Sequence, residues 1–338
     1  MRVTVILCTL NRCHILPVAL ESVAASRLPG SVEWEVLVVD NNSRDATRRV
    51  VEDFCSRYPA RFVYLYESQP GKSYALNAGI REARGDILAF MDDDVTVEQT
   101  WLRNLTECLD KGEWAGSGGR TLAAQPVSPP RWLALDGPYG MGGILGALFD
   151  LGDKPCELTQ APFGTNMAFR KEMFEKYGGF RTDLGPRPGS QIRNEDTEFA
   201  RRLMAAGERL RYEPCAVVYH PVPVERLRKD YILPWHFDLG RAAVREIGRR
   251  PDIWGIPRPY LTMLKAILLT APARSLRWMF ALNPQHRFYC KARFWEGAGQ
   301  IAEIYRRWFS KRAPREIDNR RGKDSSEHDT TLRCTEKR

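Results

Sequence analysis

The chain is predicted to be an α/β protein built on a mainly parallel sheet with helices packed against it. Three observations predict this. Short apolar runs alternate with helical patterns through the first 120 residues, which is the order that generates a parallel sheet. The apolar runs are nearly continuous and rich in β-branched residues, as strands buried on both faces are. The composition, 43% hydrophobic and 28% charged over 338 residues, is that of a globular chain long enough to bury a large core.

The segments RVTVILC (2–8), WEVLVVD (34–40), RFVYLYE (61–67) and DILAFMD (86–92) read as strands. Between them LPVALESVAAS, DATRRVVEDFCSRY and GKSYALNAGIREAR have helical spacing, and Ser43 or Asp45 is placed to cap the second. A Pro/Gly-rich excursion follows from 125 to 155, of a length that usually serves function. Regular pattern resumes at APFGTNMAFR (161–170). A helix is expected over 195–206, capped by Asn194 and ended near Gly207. RLRYEPCAVVYHP (209–221) reads as a short strand pair, and helical pattern dominates from Pro223. No internal repeat is present.

The net charge of +9 is concentrated. Between 249 and 312 thirteen Lys and Arg face three Asp and Glu, a local net of +10, so the remainder is about neutral. Eight cysteines without a C-x-x-C pair indicate neither a zinc site nor a disulfide framework, and point to a reducing compartment. VTVILC is too short for a signal peptide. The longest other apolar stretch, YLTMLKAILLTAPA, carries a lysine and ends at a proline, short of the roughly 18 residues of a spanning helix.

Asp40 ends the second strand and Asp92 the fourth, so both should reach the rim where ligands bind in parallel α/β sheets. In FMDDDV, Asp92, Asp93 and Asp94 repel one another, and something positive must face them. Hard oxygen ligands suit Mg2+ or Mn2+ carried with a diphosphate; a solvated acidic turn is the plain alternative. PGKSYALNAG resembles the end of a P-loop, but Tyr66 stands where glycine is required. DDDVT is similar locally to the D-x-D-x-T segment of haloacid-dehalogenase-like phosphatases, whose aspartate ends the first core strand; here three strands come before it.

VILCTLNR, EVLVVDNNSRDAT, GKSYALNAGIREARGDILAFMDDDV, FGTNMAFRKEMFEKYGGF and NEDTEFARRLMAAG occur in that order. Together they resemble a family 2 glycosyltransferase of GT-A fold over about residues 1 to 245. The resemblance implies a nucleotide-binding half (1–120) and an acceptor and catalytic half (121–245). It gives Thr9, Asn11 and Asp40 to the nucleotide, Asp92 to the ribose, and Asp94 to the metal. Asp93 either coordinates or supports. Asn77 lies in the donor-contacting helix, where Lys72 departs from the family's usual apolar residue. Arg12 opens the first helix, and a cation there could serve phosphates.

A sugar hydroxyl needs a carboxylate to take its proton. Asp196 in NED is the expected base, with Glu195 as fallback; Glu198 reads as structural. Gly164 and Asn166 are expected to line the sugar and acceptor pocket. His220, ending AVVYH, matches a third metal ligand. These parts imply direct displacement with inversion and a Mg2+ or Mn2+ cofactor.

The basic region at 246–312 carries Trp254, Trp278, Trp295 and Trp308. Basic helices with aromatics on the apolar face suit an anionic membrane surface, and no nucleic-acid motif accompanies them. Residues 313–338 have the composition of a disordered tail. The expectation is thus a transferase peripheral to the cytoplasmic face of a membrane. It would move a sugar from a nucleotide donor, a UDP-sugar, to a glycan or lipid-linked acceptor. Two rivals are a metal-dependent phosphohydrolase with Asp92 as nucleophile and a non-catalytic membrane-binding module.

Overall fold

The computed structural model describes residues 1–247, 261, 264–265, 269, 271–308 and 331–332. The first four strands are β1 (Arg2–Thr9), β2 (Glu33–Asp40), β3 (Phe62–Tyr66) and β4 (Ile87–Asp92). They are joined by α1 (Leu16–Ala24), α2 (Thr47–Arg57) and α3 (Lys72–Glu82). β1 pairs in parallel with both β2 and β4, and β2 with β3. In that register Thr9 lies opposite Asp40, and Cys8 opposite Asp92. Three strand ends therefore deliver polar groups to one rim, as the sequence predicts.

Next come β5 (Thr96–Val97), α4 (Trp101–Thr106), β6 (Gly116–Ala123), α5 (Gly142–Gly146), β7 (Cys156–Glu157) and β8 (Met167–Arg170). After them follow α6 (Lys171–Tyr177), α7 (Glu195–Ala205) and β9 (Leu210–His220). Among the described residues the strand order is β10-β3-β2-β1-β4-β8-β6-β9-β5, with β7 also on β9; β10 is the two-residue Thr331–Leu332, antiparallel to β3. The long pairings are parallel, whereas antiparallel ones span two to four residues.

The 209–221 segment holds one strand, β9 (Leu210–His220), not the expected pair. Pro214 and Cys215 sit where the β6–β9 register jumps from Gly119↔Glu213 to Arg120↔Val217. Proline has no N–H for the ladder, so the strand bulges there and resumes.

Alternate residues of the parallel strands feed two cores. Val3, Val5, Leu7, Val36 and Val38 pack with Leu20 of α1, Phe54 of α2 and Trp101 of α4. Ile6, Leu37, Val39 and Phe90 pack on the other face with α3 and with Phe174 and Phe199. Phe174 and Phe199 stack at 4.4 Å and fix α6 against α7.

α8 (Lys229–Ile247), α9 (Ala271–Phe280) and α10 (Pro284–Trp308) belong to the C-terminal part. α8 and α10 cross at glycines: a Cβ on Gly240 would stand 1.9 Å from the Glu296 carbonyl oxygen, and one on Gly299 1.9 Å from that of Phe237. Only glycine admits this backbone approach. Glu303, fully buried on α10, takes Arg245 at 2.9 Å and Arg241 at 3.1 Å from α8. Arg245 also donates to the Asp183 carbonyl, and Glu246 accepts from Asn194 at 3.2 Å. The end of α8 thus braces the chain leading into α7. Of the basic region at 246–312, residues 271–308 lie in α9, α10 and their connection. The stretches 248–260 and 309–330 lie outside the described residues, as does most of the 313–338 tail.

Candidate active site

A cavity of about 480 Å3 opens at the carboxyl ends of β1 and β4. Its walls come from the strand ends, from α3 and α7 with the chain before each, and from the segment after β9. The positive partners that the three acids require are side chains of the protein itself. Arg12 reaches Asp93 at 3.1 Å and Asp94 at 2.8 Å. Lys72 donates to Asp92 at 2.6 Å and lies 3.8 Å from Glu195. Arg226 lies 3.8 Å from Asp94 and is anchored on the Leu145 carbonyl.

Each acid has its own electrostatic setting. Burial pushes Asp92 up, but the charge and hydrogen bond of Lys72 outweigh it and hold the carboxyl below its ordinary range. Asp93 is pushed up to about 6, first by burial and then by Asp94, with Arg12 opposing. Burial alone would depress the Lys72 ammonium, yet Asp92, Glu195 and Asp196 together raise it. Cys8, half-buried at the cavity wall, has its thiol pushed up by desolvation.

Asp92, Asp94 and His220 place one ligand atom each within 4.8 Å of one another. The Nδ1 of His220 is 2.8 Å from the Pro221 carbonyl, so Nδ1 donates there and Nε2 is the ring nitrogen turned toward the acids. That Nε2 stands 3.7 Å from Asp94. Two carboxylates and an imidazole oriented through its other ring nitrogen fit a divalent cation. Across the cavity, Asp196 accepts from the Gly164 N–H at 2.6 Å and the Thr197 N–H at 2.7 Å. A Cβ at residue 164 would stand 2.8 Å from the Asp196 carboxylate, so glycine is what lets the two meet.

A family model described as glycosyl transferase family 2 matches residues 4–178, just over half the chain. The chain belongs to that family. Succinoglycan biosynthesis protein ExoM of Rhizobium meliloti is 27% identical over 244 residues, covering 72% of this chain and 74% of that protein. Glycosyltransferase AglE of Haloferax volcanii is 25% identical and covers 79% of each. Among solved structures, the mannosyltransferase PcManGT of Pyrobaculum calidifontis, in complex with GDP-Man and Mn2+, superposes with a TM-score of 0.60 at 20% identity, over 90% of this chain and 87% of that one. S. aureus TarS 1–349 with UDP-GlcNAc gives 0.51 at 16%, over 90% and 92%. The architecture is that of GT-A glycosyltransferases, and the phosphohydrolase and non-catalytic readings fall away.

In this family 2 glycosyltransferase the residues singled out from sequence divide in two. Thr9, Asp92, Asp93, Asp94, Gly164, Glu195, Asp196 and His220 all line the cavity. Asp92 stands in the metal-capable group beside Asp94, not apart from it. Asn11, Asp40, Asn77 and Asn166 are not among the lining residues, and the side chain of each makes hydrogen bonds within the protein. Asp40 accepts from the Ser43 N–H and the Tyr64 hydroxyl. Asn11 accepts from the Arg44 N–H. Asn77 clamps the backbone of Phe180 in both directions at 2.8 Å. Asn166 bonds the carbonyls of Arg120 and Ala216 and the Trp101 indole.

Lys72, Arg12 and Arg226 are the cationic half of the site. The first two had signals in the sequence, as a helix-opening lysine after glycine and a basic residue after the first strand. Arg226 had none, because it reaches Asp94 over a separation of 132 residues.

Proposed function

We propose that this glycosyltransferase inverts configuration in a single displacement, with Asp196 as general base. It would take a UDP-sugar as donor and a hydroxyl of a glycan or lipid-linked acceptor as nucleophile. Residues 1–120 carry the nucleotide, 121–245 the acceptor and base, and 246–312 the contact with an anionic membrane on its cytoplasmic side. The observation that supports the reading most is that Asp196 and the Asp92–Asp94–His220 group wall one cavity from opposite sequence regions.

Asp196, aimed by two backbone N–H groups, takes the acceptor proton as its oxygen attacks the anomeric carbon. The bond from that carbon to the diphosphate oxygen breaks on the opposite face. Arg12, Lys72 and Arg226 are within reach to bind the diphosphate, exchanging a carboxylate partner for a phosphate one. Asp92, Asp94 and His220 would hold Mg2+ or Mn2+, which offsets charge building on the leaving nucleoside diphosphate. Glu195 is buried behind Lys72, which favours Asp196 for the proton transfer.

The test is Asp196→Asn. Nucleoside diphosphate release in the presence of acceptor-bearing membranes should fall by about 10²–10⁴-fold, while donor affinity by calorimetry stays within about twofold. Loss of donor binding together with release would assign Asp196 a structural role and sink the reading. Thermal shifts with UDP- and GDP-sugars, each with Mg2+ and Mn2+, decide nucleotide and ion.

A further inference from the structure

α9 has two unlike faces. Trp278 turns inward, 6.2 Å from Phe294 of α10, with the Lys291 ammonium over its ring at 5.3 Å. Leu276, Met279 and Phe280, spaced i, i+3 and i+4, share another side. They are 55%, 65% and 74% exposed, and Leu282 in the turn to α10 is 99% exposed. That turn is held: Ala281 N–H bonds the Arg277 carbonyl, and Asn283 caps α10 through the Gln285 and His286 N–H groups. Four large apolar side chains are therefore presented to solvent on an ordered element, which a water-facing surface has no reason to do.

Charge decides what covers them. Arg277 and Arg287 flank the patch and are exposed, with no carboxylate in ion-pair range among the described residues. The two acids of α10 do not offset them. Glu296 and Glu303 are buried and already paired with Arg293 and with Arg241, Arg245 and Arg306. The outward charge of this end of the molecule is thus cationic, in line with the +10 of residues 249–312. Among the described residues no helix is long and apolar enough to cross a membrane.

We propose that the α9–α10 corner is an in-plane docking edge for an anionic lipid surface. Leu276, Met279, Phe280 and Leu282 enter the acyl boundary, and Arg277 and Arg287 meet the headgroup phosphates. This deepens the reading of a membrane-borne acceptor by naming the residues that would bring the enzyme to it.

The full-length protein is sedimented with vesicles of phosphatidylcholine alone or with about one-third phosphatidylglycerol. Binding is expected only to the anionic vesicles, and about tenfold weaker or worse in Leu276→Ser/Phe280→Ser/Leu282→Ser. A similar loss is expected in Arg277→Glu/Arg287→Glu. Thermal shift by UDP with Mn2+ should be the same in both variants as in the parent. That shift reports the nucleotide site separately, so its absence counts against the proposed function and not against the docking edge. Undiminished vesicle binding by either variant overturns the proposal. So does a change in solution mass in the serine variant without loss of vesicle binding, which would make the face a self-interface. Binding of a short oligonucleotide in place of vesicles also overturns it.

Discussion

Glu195 and Asp196 are chain neighbours whose surroundings differ. Asp196 faces the cavity, while Glu195 is only 3% exposed. Its carboxyl is pushed up from 4.5 to about 7, first by burial and then by the charge of Asp196, with Lys72 opposing. A carboxyl with a raised folded value binds its proton more tightly folded than unfolded. Between pH 4.5 and about 7 the folded state therefore holds the extra proton, and stability falls as pH rises through that window, then levels. Glu195→Gln should make that fall shallower, measured as urea midpoints at several pH values across the window. An unchanged slope would show that Glu195 is not the titrating group. Lys72, between Asp92 and Glu195, links the donor-side acid to the acids of α7 and is the residue through which a change at one would be felt at the other.

At the scale of elements, the α8–α10 pair does more than cover the sheet. Glu303→Ala would leave Arg245 buried without its charge partner, a loss of about 3–5 kcal/mol. Because Arg245 also holds the Asp183 carbonyl, turnover should drop beyond what the remaining folded fraction explains. Denaturation curves and kcat measured on the same preparation check both. Periodicity made the elements of the sheet legible, since β1 to β4 and α1 to α3 depend on local pattern. It misread β9, where Pro214 marks a bulge that only the β6 partner strand reveals. Part of the cavity lining was legible. Carboxylates at strand ends and a helix start can be placed from pattern alone. Asn77 and Asn166 cannot, because an amide serves a ligand or the chain equally well. Here the partners lie 103 residues from Asn77, and 46 to 65 from Asn166.

Across the whole molecule, charge falls into two populations. At the α9–α10 corner Arg277 and Arg287 are exposed, whereas the cavity sets Arg12, Lys72 and Arg226 against Asp92, Asp93 and Asp94. A divalent ion arriving alone at Asp94 competes with a guanidinium 2.8 Å away. A nucleoside diphosphate offers those guanidinium groups another anion. UDP should therefore tighten Mn2+ binding by about tenfold or more, and Mn2+ should tighten UDP by the same factor. Titration calorimetry of each with and without the other checks this, and equal Mn2+ affinities would mean that the internal pairs offer no competition. The consequence is an order of loading. On the proposed mechanism, acids neutralised from within would not collect stray ions; they would become a metal centre when a phosphate-bearing cargo draws the cations off. Admission is then governed by what is being carried, before any bond is broken.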